Sequence, residues 1–354
     1  MRPEGANPGT NARPLLTIAI PTYNRAAELS ELLDVLRPQV RPNVEVFVSD
    51  NASTDETSAV LTEAQQQYAS SGAHLQVYRH ETNTGADANF AFCYEQSQGH
   101  FFWMCGDDDR IVPGALAQVL ALLQTPNGEP ADIDLIYATS YGFRKDWRAE
   151  EVCDPLGRRV HIIRDARTYA KVVNIMFTFI SGMVVNKARL ESLPHDPPDE
   201  YLSTNLVQLS WTLPLLLHLR KAAVIWTRPV AARIGHAHGY SLGHVFGEQL
   251  RSAVERLLPN RPDLSEPILN FALRRWFPSM ILDLRKAGKN GLQLNNAPAT
   301  LKRVYGENPR YWFFTWPTLS MPLPAARAYT RFTKWYCKMA YMFTVPHFWK
   351  RETK

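Results

Sequence analysis

The sequence predicts an α/β fold in which helices cover both faces of a doubly wound, mostly parallel sheet. Three observations support this prediction. Short apolar runs of strand length alternate with segments whose leucines recur at helical spacing. The early apolar runs end in polar turns, as strands of a parallel sheet do before a crossover helix. From about residue 246 the strand-like runs stop, and only helical spacing continues.

The predicted elements follow one another in a regular order. The first strand covers residues 15–20 and leads through Pro21 and Arg25 into a helix with leucines at helical spacing. Predicted strands and helices continue to alternate up to residue 137. The other predicted strands lie at 44–49, 75–79, 101–105 and 133–137, and further helices lie at 86–98 and 113–123. Such spacing gives parallel strands joined by crossover helices.

Composition and charge exclude several classes of protein. The chain has 354 residues, enough for one large domain or a domain with an appendage, and its composition is ordinary for a globular protein. The four cysteines lack the spacing of a zinc or redox site, and Cys93 and Cys105 fit buried thiols of a reducing cytosol. The first fourteen residues lack the apolar core of a signal peptide, and the apolar run at 206–219 is too short and polar to span a bilayer. A soluble or peripheral protein is expected.

The acidic turn after the fourth strand is the strongest functional signal. The apolar run at 101–105 ends in Gly106-Asp107-Asp108-Asp109-Arg110. Adjacent carboxylates raise one another's pKa values, and a divalent cation such as Mg²⁺ or Mn²⁺ removes that cost. Open α/β sheets bind ligands at the carboxyl ends of their strands, where this turn lies. The alternative is a solvated turn in which Asp109 caps the helix that follows.

Polar residues follow three of the strands and are expected to meet at one edge of the sheet, because parallel strands end on the same side. These residues are Thr22, Asn24, Arg25, Asp50, Asn51, Asp107, Asp108 and Asp109. A carboxylate such as Asp50 suits ribose hydroxyls, and a metal together with Arg25 suits a diphosphate. Neither a dinucleotide fingerprint nor a Walker loop follows the first strand, so the inferred ligand is a nucleoside diphosphate held through a metal. The alternative for Asp50 and Asn51 is an Asx-type turn, and for Asn24 a helix cap.

Four sequence blocks carry a family resemblance. They are Ile20-Pro21-Thr22-Tyr23-Asn24-Arg25, Asp50-Asn51-Ala52-Ser53-Thr54-Asp55, Asn83-Thr84-Gly85 followed by Asn89, and Gly106-Asp107-Asp108-Asp109 with Pro113-Gly114-Ala115-Leu116. In this order, across about residues 15–123, the chain resembles family 2 glycosyltransferases of the GT-A fold. Within that family it resembles the abequosyltransferase-like bacterial members that build O-antigen or related surface polysaccharide. The resemblance implies a Rossmann-like mixed sheet and inverting transfer from a nucleotide-diphosphate sugar, with Mn²⁺ or Mg²⁺ on the diphosphate.

The resemblance also implies roles for individual residues. The nucleotide-sugar site would include Pro21, Thr22, Asn24, Arg25, Asp50, Asn51, Asn83, Gly85, Asp107 and Asp108. The three aspartates would be the family's acidic metal motif, with Asp109 favoured as the ligand. Which two of the three match the motif stays open, because Gly106 stands where many members have an acid. A histidine after the sheet completes the metal shell in some GT-A enzymes, so His236 or His238 is a candidate third ligand; the alternative is a glycine-flanked surface loop.

An inverting transfer needs a base that takes the proton of the acceptor hydroxyl. Many family members supply it from a Glu-Asp pair that opens a helix in the second half. The comparable helix, predicted at 202–219, opens with a Ser-Thr-Asn run, so that pair is missing here. The nearest acids, Glu200 and Asp199, are the candidate bases. The alternative is that both only stabilise the start of that helix.

The C-terminal region carries the chain's excess of positive charge. Residues 331–354 contain six Lys or Arg and one Glu, and the net charge of the whole chain is +5. One helix face would hold Arg327, Arg331, Lys334 and Lys338, and the neighbouring face Ala328, Phe332, Trp335, Met339 and Met342. Such a pair of faces is typical of an interfacial membrane helix, so residues 327–354 are expected to contact anionic membrane. The alternative is an apolar face packed on the catalytic domain; nucleic-acid binding is not expected.

The predicted organisation has three parts: a disordered tail at 1–13, a GT-A domain at 14–245 and a helical region at 246–354. Within the domain, residues 14–125 would bind the donor and residues 126–245, with an acceptor-side strand at 180–185, the acceptor. A lipid-linked glycan or saccharide acceptor places the protein at the cytoplasmic face of the inner membrane. One rival is a sugar-phosphate nucleotidyltransferase, which the missing Gly-rich loop disfavours. The other is a non-catalytic nucleotide- or glycan-binding protein, suggested by the missing Glu-Asp pair.

Overall fold

The computed structural model describes residues 13–154, 157–235, 239–287 and 293–344. These residues fall into two compact units: the first contains the described residues up to Gly235 together with Ser252–Ser265, and the second contains the rest. The predicted tail lies outside the described residues except for Arg13, whose guanidinium donates to the Gln98 carbonyl oxygen at 2.9 Å. The last strand ends at Arg233, ahead of the domain boundary predicted at 245.

Nine strands form the sheet in the described part of the first unit. They are β1 (Leu16–Thr22), β2 (Val44–Asp50), β3 (Leu75–Arg79), β4 (Phe101–Met104), β5 (Arg110–Ile111), β6 (Leu135–Phe143), β7 (Val160–Ile163), β8 (Met183–Asn186) and β9 (Ala222–Arg233). Their order is β3-β2-β1-β4-β8-β6-β9-β5, with β7 beside β9. The short strands β5, β7 and β8 run against the direction that β1, β2, β3, β4, β6 and β9 share. The predicted mixed, mostly parallel sheet is confirmed.

β1 and β2 end at one level and β4 ends beside them three residues earlier, which brings the turns that follow these strands together. β1 and β2 are buried along their whole length, and most of their residues are therefore apolar. Thr22, the last residue of β1, lies in register with Asp50, the last residue of β2. Beside them, Met104 at the end of β4 pairs with Ala19.

The helices of the first unit pack against this sheet. They are α1 (Ala26–Leu36), α2 (Thr57–Ser70), α3 (Ala86–Gln96), α4 (Ala115–Leu123), α5 (Ala166–Val173), α6 (Lys187–Glu191) and α7 (Leu209–Leu217). α1 buries Leu29, Leu32, Leu33 and Leu36, the residues whose spacing predicts that helix. These side chains join Ile18, Ile20 and Val46 in one hydrophobic core.

Two elements of the second half differ from the prediction. α7 begins at Leu209, well after the predicted start at residue 202. The residues before α7, here called the 203–208 loop, cannot be helical, because Ser203 and Asn205 adopt left-handed φ angles of 68° and 58°. The strand predicted at 180–185 begins only at Met183, since Ile180–Gly182 forms a 3₁₀ turn.

The chain after β9 is helical in its described part, as predicted for the residues after 246. Helices after β9 are α8 (Leu250–Leu257), α9 (Pro262–Phe271), α10 (Phe277–Ala287), α11 (Ala297–Tyr305), α12 (Trp316–Ser320) and α13 (Leu323–Thr344), with π-helical segments at Leu242–Gln249, Ala272–Trp276 and Tyr311–Thr315. Among the helices that the structure describes, none has the length and apolar content needed to cross a bilayer.

Candidate functional site

The loops after β1 and β2 are joined by side-chain hydrogen bonds. Asn24 Oδ1 accepts from the Thr54 amide at 2.7 Å, and the Asn24 amide donates to Ser53 Oγ at 2.9 Å. Asn24 has a left-handed φ of 51°, which asparagine tolerates better than most residues. Its side chain makes no hydrogen bond that caps α1. The helix-cap alternative is therefore wrong, and Asn24 ties two loops together.

Asn51 joins the loop after β2 to the loop after β3. Its Nδ2 donates to Asn83 Oδ1 at 3.0 Å and to the Gly85 carbonyl oxygen at 3.2 Å, and its Oδ1 accepts from the Thr84 amide at 2.9 Å. Gly85 has a φ of +88°, a conformation that glycine adopts without steric cost, and α3 begins directly after it. Asn51 therefore fixes the entry to α3.

Asp50 is fully buried beneath these loops. Its Oδ1 accepts from the Ser53 amide at 2.9 Å, which is the Asx-type turn of the alternative interpretation. Its Oδ2 lies 3.5 Å from Arg79 Nε and has no hydrogen-bond partner among the described residues. Pro21, another predicted site residue, is buried within β1 opposite Ser49. We call the loops that follow β1, β2 and β3, together with the acidic turn at residues 107–109, the polar edge.

Arg25 and the first two aspartates of the acidic turn form a compact ion-pair group. Arg25 Nη1 lies 2.8 Å from Asp107 Oδ1 and 2.7 Å from Asp108 Oδ2. The other oxygen of Asp107 accepts from Thr22 Oγ1 at 2.8 Å. Burial raises the pKa of Asp107 to about 6, although the Arg25 charge opposes this rise. For Arg25, burial acts to lower the pKa, but the charges of Asp107 and Asp108 outweigh it and raise the pKa.

Asp109 is buried and bonds to the second half of the domain. Its Oδ2 accepts from Ser181 Oγ at 2.5 Å, and its Oδ1 accepts from the Arg233 amide at 2.9 Å. Burial, reinforced by the charge of Asp108, raises the pKa of Asp109 to about 7. Because its carboxylate bonds to these groups and α4 begins only at Ala115, Asp109 does not cap that helix.

The atoms around Gly106 explain why this chain has glycine, and not an acid, at the start of the turn. Its amide donates to Ser181 Oγ at 2.8 Å. A Cβ atom at this position would lie 3.3 Å from Asp108 Oδ1, 3.3 Å from Asp109 Oδ2 and 3.5 Å from Ser181 Oγ. A carboxylate side chain here would add negative charge beside two carboxylate oxygens in a space that has almost no room for it.

Arg110 holds the backbone of the acidic turn from the interior. This residue is 0% exposed, and its Nη1 donates to the carbonyl oxygens of Asp109 at 2.8 Å and Asp107 at 3.4 Å. Its Nη2 pairs with Glu31 Oε2 at 2.5 Å, and the other oxygen of Glu31 accepts from Trp147 Nε1 at 2.9 Å. The turn is thereby attached to α1 and to the segment that follows β6.

The candidate bases lie on the 3₁₀ turn that precedes the 203–208 loop. Glu200 Oε2 accepts from Arg256 Nη2 at 3.2 Å, and its side chain is 55% exposed. Asp199 lies near the last turn of α3, where its charge adds to burial in raising the pKa of Glu95. The polar edge lies at the opposite end of α3. In the described part of the chain, neither candidate has a recorded hydrogen bond or ion pair with the acidic turn.

The acidic turn offers oxygen ligands that suit a divalent cation bound together with a phosphate. Asp107 and Asp109 are carboxylates whose pKa values are raised by burial, so a cation that stabilises their charged form suits them. Among the described residues, no three His, Cys, Asp or Glu side chains are arranged to hold a metal alone. Mg²⁺ and similar ions often bind through one or two carboxylates, with water and substrate phosphates completing the shell. His236 and His238, the other predicted ligands, lie outside the described residues.

Three residues that support the site carry no signal in the sequence pattern. Ser181 lies just before β8, Arg233 ends β9, and Asp87 lies in the first turn of α3. Asp87 is buried and accepts from the Asn205 amide at 2.6 Å, so it shapes the 203–208 loop. Burial raises the pKa of Asp87, against the lowering effect of hydrogen bonds from that loop's amides. Arg110, which also supports the site, differs from these three residues, because its position directly after three aspartates is visible in the sequence.

Comparison with known proteins agrees with this geometry. Residues 17–190 match the family model described as Glycosyl transferase family 2. The chain is 28% identical over 206 residues to abequosyltransferase RfbV of Salmonella typhimurium, covering 54% of this chain and 58% of that protein. It is 28% identical over 112 residues to the Campylobacter jejuni protein named GalNAc(5)-diNAcBac-PP-undecaprenol beta-1,3-glucosyltransferase, covering 30% and 34%. The chain thus matches less than two thirds of the length of either relative.

Solved structures share the fold. The crystal structure of TarS residues 1–349 from S. aureus aligns with a TM-score of 0.57 at 19% identity, over 90% of this chain and 88% of that chain. The same protein in complex with UDP-GlcNAc aligns with a TM-score of 0.56 at 18% identity, over 90% and 89%. Such identities show a common fold only. Together with the Salmonella relative, which confirms the resemblance to abequosyltransferases, the family model shows that residues 17–190 form a glycosyl transferase family 2 domain, and the solved structures show that its fold is GT-A.

Proposed function

We propose that the protein is a metal-dependent, inverting glycosyltransferase that transfers a sugar from a nucleotide-diphosphate sugar to a lipid-linked or polysaccharide acceptor in bacterial surface-polysaccharide synthesis. One observation carries the proposal: three joined loops and an acidic turn meet at one edge of a family 2 domain, linked by the bond between Thr22 and Asp107. The relatives support the substrate class, since one is named an abequosyltransferase and another a glucosyltransferase of an undecaprenol-linked glycan. TarS, of the same fold, was crystallised with UDP-GlcNAc.

The nucleoside of the donor is proposed to lie on the joined loops. Asp50 Oδ2 is a buried acceptor without a hydrogen-bond partner among the described residues, and buried acceptors of this kind are usually satisfied. A ribose hydroxyl or a base N–H would satisfy it. Asn83 and Gly85 line the entrance to α3 beside Asn51 and would complete the nucleoside site.

The diphosphate is proposed to lie over the acidic turn. Asp109, with Asp107 or Asp108, would hold Mn²⁺ or Mg²⁺, which when bound stabilises the charge that develops on the leaving diphosphate. Ser181 and the Arg233 amide fix the orientation of the Asp109 carboxylate. Such outer partners commonly set the geometry of a ligand.

The donor proposal is tested with a panel of nucleotide sugars, by measuring nucleoside diphosphate release with Mn²⁺ or Mg²⁺ and with EDTA. We expect slow, metal-dependent release from one donor, and loss of metal-dependent donor binding in Asp109→Asn. A matched variant, Asp283→Asn, changes an exposed aspartate of the second unit and should leave both unchanged. Nucleotide binding without turnover, even with acceptor, would favour the binding-protein alternative. Release of pyrophosphate from a nucleoside triphosphate and a sugar phosphate would favour the nucleotidyltransferase. Absence of any nucleotide binding would overturn the site.

For the base, we propose Glu200 or Asp199. Glu200 is exposed and held by Arg256 on the turn that leads to the 203–208 loop. Glu200→Gln or Asp199→Asn is expected to abolish transfer while donor affinity stays unchanged, because the base acts on the acceptor hydroxyl. Transfer that survives both substitutions would show that the proton leaves by another group.

Membrane contact is proposed for an aromatic patch on the second unit. The patch consists of Trp312, Phe313, Phe332, Trp335 and Tyr336, all of which are substantially exposed. α13 buries Ala326, Thr330 and Thr333, whereas Phe332 and Trp335 are 50% and 59% exposed. Arg331 and Lys334 are exposed beside them. Exposed aromatic rings next to basic side chains suit the headgroup region of an anionic bilayer. Lys338, Met339 and Met342 lie beyond the described side chains.

Liposome flotation tests this contact, and point substitutions are cleaner than deletion of 327–354, because Thr330 and Thr333 are buried. Phe332→Ser with Trp335→Ser should reduce binding to liposomes containing phosphatidylglycerol. The matched control is Ile162→Ser, an exposed apolar residue of β7. Equal binding by the double variant and the wild type would contradict the assignment of this patch.

A further inference from the structure

The position of Arg25 raises a question about how a cation reaches the acidic turn. Arg25 Nη1 is within hydrogen-bond distance of both Asp107 Oδ1, at 2.8 Å, and Asp108 Oδ2, at 2.7 Å. One positively charged group therefore already bridges two of the three carboxylates. A divalent cation on the same oxygens would stand within a few ångströms of the guanidinium and be repelled by it.

The other carboxylate oxygens of Asp107 and Asp109 have partners that the fold holds in place, and each keeps a lone pair for a cation. Asp107 uses its second oxygen on Thr22 Oγ1, and Asp109 uses both of its oxygens on Ser181 and the Arg233 amide. The bridged pair of oxygens is thus the part of the turn whose partner is a long, movable side chain. The remaining oxygens of Asp107 and Asp109 bond instead to a hydroxyl of β1, to the 3₁₀ turn before β8 and to the backbone of β9.

The backbone of Arg25 is fixed, and its side chain lies at the edge of the site. Its carbonyl oxygen accepts from the Leu29 amide at 3.0 Å, so its backbone is fixed at the start of α1. Its side chain is 18% exposed, at the border between the acidic turn and solvent. A guanidinium binds phosphate as well as carboxylate, through the same planar donors.

We propose that Arg25 is a positioning residue that couples metal binding to donor binding. The guanidinium serves as the counter-cation of Asp107 and Asp108, and transfers to the donor diphosphate when metal and donor arrive together. Metal alone must compete with Arg25, whereas metal with diphosphate gives Arg25 a new partner. The two ligands should therefore favour each other's binding by the same factor. This inference rests on the proposed function, because it takes the ligand to be a nucleoside diphosphate.

The test compares wild type with Arg25→Gln. Mn²⁺ binding is measured by electron paramagnetic resonance without nucleotide, and UDP binding by calorimetry with Mn²⁺ and with EDTA. Without its competitor, Mn²⁺ alone should bind Arg25→Gln about tenfold tighter than wild type, while UDP in EDTA binds about tenfold weaker. Coupling between Mn²⁺ and UDP should fall accordingly. Arg37→Gln, at the other end of α1 and part of a surface pair with Asp34, is the matched control and should resemble wild type.

If Arg25→Gln does not fold, Arg25→Lys gives the same comparison. An ammonium is a strongly hydrated point charge that bridges two carboxylates less well than a guanidinium, so Mn²⁺ should bind about threefold tighter than to wild type. Unchanged or weaker Mn²⁺ binding in a folded variant would overturn the inference. Absence of UDP binding by wild type under all conditions would instead overturn the proposed function for this donor class, while the Mn²⁺ comparison would still test competition by Arg25.

Discussion

The polar edge and the 203–208 loop are both irregular, yet they are held in different ways. In the polar edge, residues of the recognised sequence blocks bond to one another, as Asn24 bonds to Thr54 and Asn51 to Thr84. The 203–208 loop is shaped by Asp87, which lies 118 positions before its partner Asn205. A loop can be inferred from sequence when its own residues fix it, but not when a distant carboxylate does.

The largest loss of stability is expected from Arg110→Met, which removes the side chain that supports the acidic turn of the polar edge from the interior. The free energy of unfolding should fall by about 3–5 kcal/mol, because two buried turn carbonyls lose their hydrogen-bond donor and Glu31, whose side chain is 42% exposed, loses its partner. Urea unfolding measures the change. The matched variant Glu31→Gln leaves the fully buried Arg110 cation without its anionic partner but keeps a hydrogen-bond acceptor, and should cost about 2–3 kcal/mol. If the free energy of unfolding fell equally in both variants, the stability would come from the Arg110–Glu31 ion pair and not from the bonds to the turn carbonyls.

Asp87→Ala should separate the two regions. The unfolding free energy should fall by about 2–3 kcal/mol, because amides of the 203–208 loop lose their acceptor. Sugar transfer should fall about tenfold or more, while nucleotide affinity changes less than about twofold, since the polar edge keeps its own bonds. Denaturation, calorimetry and product formation give the three numbers. A parallel loss of nucleotide affinity would show that the two regions are not independent.

Asn51→Ala acts on the polar edge alone. It removes the bonds to Asn83, Thr84 and Gly85, so stability should fall by about 1–2 kcal/mol and nucleotide affinity should fall with it. Asn295→Ala, at an exposed asparagine of the second unit, is the control. If stability fell and affinity did not, these loops would have only a structural role.

The smallest effect is a pH dependence of stability in EDTA. Burial raises the pKa of Asp107 to about 6 and of Asp109 to about 7, so the folded protein keeps protons that the unfolded chain has already lost. The stabilising contribution is complete below about pH 4 and is lost as the pH rises to about 7. Thermal melts across this range should show the decline. Asp109→Asn should make it shallower; an unchanged slope would assign the titration elsewhere.

Much of the fold could be predicted because its central strands are buried on both faces. The third strand was predicted at its observed bounds, 75–79, and α1 buries the leucines that indicated it. The sequence does not predict the start of α7. The helical pattern of apolar residues begins before this helix, whereas Asp87 bonds to the preceding loop, in which residues adopt left-handed conformations. Local spacing contains no information about such a distant partner.

The site divides in the same way. Thr22, Asp50, Asn51 and Asp107 could be placed at one edge because parallel strands end together. Ser181 and Arg233 could not, since each reaches Asp109 from an element that pairs with β4 or β5 only in the folded sheet. The alternative uses of Asn24 and Asp109 also needed the structure, because capping depends on the position of a few backbone amides.

The hydrogen bonds of Asn24 and Asn51 have a further consequence for nucleotide binding. Three loops that would otherwise sample many conformations lose that freedom when the chain folds, so its entropic cost is already included in the stability of the protein. A ligand that enters such a preformed site does not have to order it. The heat-capacity change of binding should therefore match the surface that the nucleotide itself buries, without the additional term that accompanies folding of a loop around its ligand.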